Sequence, residues 1–209
     1  MADNDINVNM EAAPFILASA SPRRLELLEQ IGIMPDETIP ANIDETRLKD
    51  ERPRQLVERL AAAKARHVAR PGAFILGADT TVAVGRRILE KPQDKSEAEE
   101  FLNLLSGRRH DVIGGIALIT PGDKLISRVV RTIVHVKRLS KSEISEYVSS
   151  EDWRGKAGGY GIQGRFIQHI TTLQGSYTNV VGLCLHTTRQ LLTGNGYLPP
   201  IEADHSALS

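Results

Sequence analysis

The sequence is poor in cysteine, in aromatic residues and in net charge, and each shortage disfavours a class of protein. Cys184 is the only cysteine in 209 residues, which excludes an intramolecular disulfide and a cysteine-based zinc site and suits a reducing cytoplasm. Basic and acidic residues both number 26, and aromatic residues make up only 4% of the chain. A broad basic surface is therefore not indicated. Nucleic-acid binding is disfavoured, while a local cationic pocket stays compatible with the composition.

Long apolar runs and targeting signals are missing as well. Residues 112–119 form one of the longest apolar stretches, and it is far too short to span a bilayer. Residues 1–14 are polar and acidic, without the cationic start and apolar centre of a signal peptide. We therefore expect a soluble cytoplasmic protein with a disordered leader at 1–13, a single domain at 14–193 and a loose tail at 194–209.

Predicted strands and helices alternate along the chain, which indicates an α/β fold. Apolar patterns predict strands at 15–17, 74–76, 82–84, 110–120, 124–139 and 166–173, with 82–84 as either the continuation or the partner of 74–76. Helical patterns with suitable end signals fall at 22–32, 53–70, 96–105, 140–149 and 180–192. A chain of this length can bury its core in one domain or in two lobes that share a cleft.

The stretch FILASASPRRLELL at 15–28 combines a buried strand, a turn of small residues and an amphipathic helix. Ser21, followed by proline, is a favourable helix start. Arg23 and Arg24 come next, in the first turn, where the helix dipole disfavours cations. Together with the Ser19 hydroxyl and free backbone N–H groups, they predict an anion site. The alternative is a solvated basic turn that tolerates the dipole.

Two charged residues occupy positions where the pattern is otherwise apolar. Lys64 lies inside the apolar arc of the helix at 53–70, so it either snorkels to the rim of the core or points into a cleft. Asp79 follows the apolar run 74–76, where an unpaired carboxylate is costly to bury. It therefore either caps a turn or stands at a strand end, where the ligand sites of open α/β sheets collect.

The segment GKAGGYGIQG at 155–164 is unusually rich in glycine, which lets backbone approach a ligand closely. A flexible linker would favour serine over Tyr160 and Gln163, so we interpret the segment as a shaped binding loop. Gln163 offers the donor and acceptor needed to read a base edge, and Tyr160 offers a face for stacking. His110 and His135 lie in apolar strands and are interpreted as structural residues rather than metal ligands.

Two further features are the acidic pair Asp44 and Glu45 in the irregular segment 34–50, and Lys91, which with Pro92 precedes the helix at 96–105. With the residues above they form a cationic set, Arg23, Arg24, Lys64 and Lys91, and an acidic set, Asp79 and Glu45, with Asp44 as a further candidate. This combination suits a polyphosphate held by basic side chains, with carboxylates to hold a divalent metal or to activate water. The sequence contains no GxxxxGK[ST], HExxH or GxSxG motif. P-loop NTPase, zinc-protease and serine-hydrolase functions are therefore unsupported.

Five segments closely resemble the Maf family of nucleoside triphosphate pyrophosphatases in their order and spacing: LASASPRRLELL, GADTTV, EKP, AGGYGIQG and GSYTNVVGL. The resemblance covers about 15–192. It implies an α/β fold of the inosine-triphosphate-pyrophosphatase type, with an elongated mixed sheet flanked by helices and two lobes around a cleft. It also implies cleavage between the α and β phosphates, and a homodimer.

The resemblance further implies roles for individual residues. The family's catalytic aspartate matches Asp79. Its substrate-reading positions match Arg23, Thr80 and Gln163. Its further cleft residues match Arg24, Glu45, Lys64 and Lys91. Cys184 stands where the family often has proline, beyond the site segments, and is interpreted as a packing variation.

The glycine-rich segment, taken with GSYTNVVGL, resembles the family branch that acts on dTTP and UTP, whereas the branch that acts on 7-methyl-GTP departs from that loop. We expect hydrolysis at the α phosphorus, with Asp79 as general base or metal ligand and Glu45 as second ligand of Mg²⁺ or Mn²⁺. Two alternatives stay open. One is a non-catalytic nucleotide-binding regulator, because the family has also been linked to inhibition of septum formation. The other is a pyrophosphatase for 7-methyl-GTP or other modified nucleotides.

Overall fold

The structure is a computed structural model that describes residues 13–198, so residues 1–12 of the leader expected at 1–13 and residues 199–209 of the tail expected at 194–209 lie outside the described residues. Within that range the strands are β1 (Phe15–Ala18), β2 (Glu37–Thr38), β3 (Phe74–Val84), β4 (Arg87–Leu89), β5 (Arg109–Ile119), β6 (Leu125–Val136) and β7 (Ile170–Gln174). The α-helices are α1 (Pro22–Glu29), α2 (Pro53–His67), α3 (Lys95–Leu105), α4 (Lys141–Ser149), α5 (Tyr177–Val181) and α6 (Leu185–Thr193). Short 3₁₀ segments occupy Ala157–Gly159 and Arg165–His169.

The seven strands form one mixed sheet in the order β2-β1-β3-β5-β6-β7, and β4 pairs with β3. β1 runs parallel to β3, whereas β5 pairs antiparallel with both β3 and β6. The predicted α/β class and mixed sheet flanked by helices are confirmed. Within residues 13–198, no helix combines the length and the apolar character needed to cross a membrane.

One edge of β3 is uncovered near its centre. On that edge β1 pairs with residues 74–77 and β4 pairs with residues 82–84, while β5 covers the opposite edge of the strand. Residues 78–81 therefore have no neighbouring strand on the side of β1, and their side chains and backbone border an opening in the sheet.

This opening corrects the predicted position of Asp79, which neither caps a turn nor ends a strand. It lies in the middle of β3, an uninterrupted strand of 11 residues. The β-branched residues Thr80 and Thr81 continue the strand between its two apolar halves. A ligand can still reach the position, because β1 ends short of it and β4 begins beyond it.

Helix α2 lies directly on the sheet at two glycines. A Cβ atom at Gly77 of β3 would stand 2.2 Å from the Ala61 carbonyl oxygen, and one at Gly115 of β5 would stand 2.2 Å from the Val57 carbonyl oxygen. Any other residue at either position would push the helix outward. The close approach sets the helix face that carries Lys64 against the opening in β3.

The opposite face of the sheet carries two separate apolar clusters. One contains Leu76 and Ala78 of β3 and packs against α1 and α6, and the other contains Val82 and packs against α3 and α4. The boundary between them falls at Thr80, beside the opening. These clusters correspond to the expected two lobes with a cleft between them.

Two features of the C-terminal third differ from the prediction. The expected strand at 166–173 begins as a 3₁₀ segment, so β7 starts only at Ile170. The expected single helix at 180–192 is broken into α5 and α6 at Gly182, which has a φ of +146°. This backbone conformation is open to glycine and strained for other residues.

The chain stays packed beyond the predicted domain boundary at 193. The Tyr197 ring lies 5.0 Å from the ring of Phe15 and 5.5 Å from that of Phe74, measured between centroids. Tyr197 is buried. The packed part of the expected tail therefore extends at least to this residue.

Candidate active site

A cavity of about 830 Å³ opens at the uncovered stretch of β3. Its walls come from the turn after β1, the loop before α2, the segment after β4, the glycine-rich segment and the break between α5 and α6. The structure brings all the predicted site residues to this cavity: Ser19, Arg23, Arg24, Glu45, Lys64, Asp79, Thr80, Lys91 and Gln163. Asp44 is the exception. Its carboxylate instead accepts the Thr46 backbone N–H at 2.8 Å and shapes the loop.

Lys64 lies between two carboxylates. Its Nζ is 2.7 Å from Oδ1 of Asp79 and 2.9 Å from Oε1 of Glu45. Lys64 and Asp79 are both buried, with 7% and 8% of their surface exposed, whereas about half of the Glu45 side chain is open to solvent. Of the two alternatives for Lys64, the structure shows the one in which it points into the cleft.

The two carboxylates differ in their protonation behaviour. Burial raises the pKa of Asp79 above its ordinary value, and the adjacent Lys64 ammonium opposes this rise. For Glu45, partial burial would also raise the pKa, but the hydrogen bond and charge of Lys64 outweigh it and the pKa is lowered. Asp79 is thus the more basic of the two, which suits a proton acceptor near neutral pH.

Arg24 is buried and ties three segments together. Its Nε donates to the Gly182 carbonyl oxygen at 3.0 Å, and Nη1 donates to Oγ of Ser19 at 3.1 Å. Nη2 donates to Oγ1 of Thr80 at 3.4 Å, and that hydroxyl donates to the same Gly182 carbonyl at 3.1 Å. Arg24 therefore fixes the turn after β1, the centre of β3 and the helix break relative to one another.

The start of α1 is correctly predicted, but the capping interaction is not. Ser21 is the N-cap residue, yet its side chain makes no capping hydrogen bond. Its backbone N–H donates to Oγ of Ser19 at 3.2 Å. The Ser19 hydroxyl, buried beneath the turn, therefore organises this loop from within.

Three predicted residues reach the cavity from different walls: Arg23 from the start of α1, Lys91 from the segment after β4, and Gln163 from the glycine-rich segment. Lys91 and Gln163 are exposed and Arg23 is half-buried. Within residues 13–198, none of these three side chains forms an ion pair. Their polar ends are available to a ligand.

The glycine-rich segment rests on aromatic side chains. The Tyr160 hydroxyl is 2.7 Å from Nε2 of His110, and its ring packs 4.7 Å from that of Phe166. Tyr160 is buried, so the prediction that its face stacks on a ligand is wrong, because the ring already packs internally. Burial lowers the pKa of His110 to about 4, which agrees with the structural role predicted for this histidine.

Sequence reasoning missed several charged residues of the cavity: Arg47, Glu90 and Lys156. Lys156 belongs to the GKAGGYGIQG segment, so its position among the glycines was the available signal. In all, six basic and three acidic side chains line the cavity. The site is therefore cationic in a protein whose formal net charge is zero.

Asp79 and Glu45 are the residues suited to hold a divalent metal. One oxygen of each carboxylate contacts the Lys64 ammonium, so the two side chains already converge on one positive centre. In the part of the chain that the structure describes, no group of three or more His, Cys, Asp or Glu residues could hold a metal ion. The pair fits a hard cation such as Mg²⁺ when phosphate oxygens and water complete the coordination.

Comparisons with known proteins identify related chains. A protein-family model described as "Maf-like protein" matches residues 14–195. A Hyphomonas neptunium protein named dTTP/UTP pyrophosphatase is 56% identical over 186 residues, which cover 89% of this chain and 97% of that protein. A protein of the same name from Caulobacter vibrioides is 56% identical over 193 residues, covering 91% of this chain and 100% of that one.

A solved structure also aligns with most of the chain. It is a nucleoside-triphosphatase, dITP/XTP pyrophosphatase from Mycobacterium abscessus, with a TM-score of 0.43 and 18% sequence identity. The alignment covers 86% of this chain and 93% of that chain.

Proposed function

Because the chain belongs to the family of Maf-like proteins, we propose that it hydrolyses dTTP and UTP to the nucleoside monophosphate and pyrophosphate. Relatives about 55% identical over most of the chain are named dTTP/UTP pyrophosphatase. The observation that carries the proposal is the contact of 2.7 Å between Lys64 and Asp79, within a cavity lined mainly by cations.

In this proposal Asp79 is the general base. Water attacks the α phosphorus and passes a proton to the Asp79 carboxylate, and the bond to the bridging oxygen breaks so that pyrophosphate leaves. Burial raises the pKa of Asp79, which increases its proton affinity. A positioned base contributes roughly 10²–10⁴-fold to the rate.

The basic side chains stabilise the charge of the triphosphate and of the departing pyrophosphate. Lys64 lies beside Asp79, where it both keeps the carboxylate ionised and faces the reacting phosphate. Arg23 and Lys91 reach the cavity from separate walls. They can therefore bind different phosphates of one substrate.

A divalent cation, Mg²⁺ or Mn²⁺, would be held by Glu45 and by the oxygen of Asp79 that does not accept the proton, and it would neutralise charge on the phosphate oxygens when bound. The Glu45 carboxylate stays ionised at neutral pH, since its pKa is lowered by the hydrogen bond and charge of Lys64 despite partial burial. Both carboxylates would exchange part of their contact with the Lys64 ammonium for the metal.

Base recognition is assigned to Thr80 and Gln163, while Arg23, the third position that the family resemblance links to substrate reading, binds phosphate. The Gln163 amide offers one acceptor and two donor N–H groups. Thymine and uracil share an edge with a ring N–H and a carbonyl oxygen, which this amide can pair with. Thr80 is held by Arg24 and Gly182, so its hydroxyl has a fixed direction at the cavity wall.

We also propose a cytoplasmic homodimer that acts on free nucleotides rather than nucleic acid. The free thiol of Cys184 suits a reducing compartment. The zero net charge disfavours a nucleic-acid partner. The dimer rests on the family resemblance.

The test is pyrophosphate release from a panel of nucleoside triphosphates with Mg²⁺ or Mn²⁺. We expect release from dTTP and UTP, abolished in Asp79→Asn and retained in the control Asp123→Asn, whose side chain lies on the turn between β5 and β6. Nucleotide binding should survive in Asp79→Asn. Release mainly from a methylated guanine nucleotide, or binding without turnover by the wild-type protein, would contradict the proposal.

A further inference from the structure

Lys156 is a cavity residue with no part in the mechanism above. It lies in the glycine-rich segment, and its side chain is half-buried. Its methylene chain passes under Gly161, where an added Cβ would stand 2.7 Å from Cε of Lys156. The stem of the lysine is thus held by the loop, in a residue that lines the cavity.

The Lys156 ammonium is only partly satisfied by the protein. Its Nζ donates to the backbone carbonyl of Asp152. An ammonium has three N–H donors, so two stay available to a ligand. Within the described residues, Lys156 makes no ion pair with a carboxylate.

A second cation, Arg23, lines the same cavity from a different wall. Burial is the main cause that lowers the pKa of Lys156; the positive charge of Arg23 adds to it, and the negative charge of Asp152 partly opposes it. Bringing two like charges together in a partly buried place is unfavourable. An anion between them would convert this repulsion into attraction.

We propose that Lys156 is a further substrate-binding residue, which together with Arg23 holds the phosphate oxygens of the triphosphate from two walls of the cavity. Arg23 stands at the start of α1, on one lobe, and Lys156 stands on the glycine-rich segment of the other. A phosphate chain bound between them bridges the lobes. The inference rests on the proposed function only for the identity of the anion as a nucleoside triphosphate. The binding of phosphate oxygens by these two cations does not depend on it.

Because Lys156 belongs to the glycine-rich segment, its proposed contact with phosphate has a second consequence. Gly161 lies on the Lys156 stem, and its N–H donates to the Tyr147 hydroxyl at 3.2 Å. Gln163 follows two residues later. A phosphate that fixes Lys156 therefore also fixes the loop that presents the Gln163 amide.

The experiment uses Lys156→Met, which keeps an unbranched stem under Gly161 and removes the charge, with Lys156→Arg as the charge-conserving variant. Lys124→Met, on the exposed turn between β5 and β6, is the matched control. Binding of inorganic pyrophosphate is measured by calorimetry in the presence of a chelator, and melting temperatures are recorded with and without pyrophosphate. Each lost charge-assisted hydrogen bond weakens binding by roughly ten- to a hundredfold.

We expect pyrophosphate affinity to fall by that factor in Lys156→Met, to return largely in Lys156→Arg, and to be unchanged in Lys124→Met. Unliganded melting temperatures should match the wild type, while the increase caused by pyrophosphate shrinks in Lys156→Met alone. Wild-type affinity in Lys156→Met overturns the proposal, as does a lowered unliganded melting temperature that Lys156→Arg does not restore. Wild-type protein that does not bind pyrophosphate also overturns it. Pyrophosphate binding does not require turnover, so this experiment tests Lys156 independently of the substrate. An incorrect assignment of the nucleotide substrate would be detected by the panel of nucleoside triphosphates instead.

Discussion

Asp79 and Thr80 are neighbours on β3, and their side chains leave the sheet on opposite faces. Asp79 binds Lys64 of α2 at 2.7 Å on one face, and Thr80 donates to the Gly182 carbonyl at 3.1 Å on the other. Both stand where the edge of β3 is uncovered between β1 and β4. Asp79 and Thr80 therefore connect the centre of β3 to α2 on one face of the sheet and to the break between α5 and α6 on the other.

Removing the Lys64 ammonium is expected to shift the pH profile of the reaction. Burial raises the pKa of Asp79, and Lys64 is the main influence that opposes it. Asp79 accepts a proton only when it is ionised, so activity is lost as the pH falls through its pKa. In Lys64→Met the pKa of Asp79 should rise further, and the acid limb of kcat/KM should move to higher pH.

The measurement is kcat/KM for UTP across pH for the wild type, Lys64→Met and Lys64→Arg. The arginine variant keeps the positive charge and should leave the acid limb near its wild-type position, whatever its overall rate. An acid limb that stays in place in Lys64→Met, or moves to lower pH, would mean that Asp79 is not the titrating base.

The close contact between α2 and the sheet predicts a large effect for Gly77→Ala. The new Cβ would stand 2.2 Å from the Ala61 carbonyl oxygen and 2.7 Å from the Ala65 amide nitrogen, both of which are backbone atoms. Helix α2 would have to move outward and carry Lys64 away from Asp79. Overpacking of this kind costs roughly 1–3 kcal/mol in the free energy of unfolding.

Gly122→Ala is the matched control, because its Cβ would meet only the Thr120 hydroxyl, at 4.0 Å. The free energy of unfolding, measured with urea, and kcat for UTP should both fall in Gly77→Ala. Both should stay near their wild-type values in Gly122→Ala. Equal stability and activity in the two variants would show that the contact between helix and sheet does not position Lys64.

Two residues of the site were predictable because each is a charged residue within an otherwise apolar pattern. Lys64 in a helical arc and Asp79 after an apolar strand are costly to bury unless each has a partner. That they partner each other was not predictable, because their contact depends on Gly77 letting α2 approach the sheet. This is a tertiary contact, and no local pattern in either segment encodes it.

Each error also traces to a particular structural feature. Asp79 was expected at a strand end because a carboxylate interrupts an apolar run, whereas the actual opening arises from the lengths of β1 and β4. The run VVGLCL keeps its apolar pattern through Gly182, so the helix break there was hidden. Tyr160 was expected to meet a ligand, but its ring packs against Phe166, six residues later, and its hydroxyl meets His110, which lies 50 residues away in the sequence.

The most direct test of the account is the position at which water enters the products. UTP is hydrolysed in ¹⁸O-labelled water, and UMP and pyrophosphate are analysed by mass spectrometry. If water activated by Asp79 attacks the α phosphorus, a single ¹⁸O atom appears in UMP, none appears in pyrophosphate, and Asp79→Asn yields neither product above background. Label in pyrophosphate, or labelled UMP formed by Asp79→Asn at the wild-type rate, would contradict the mechanism.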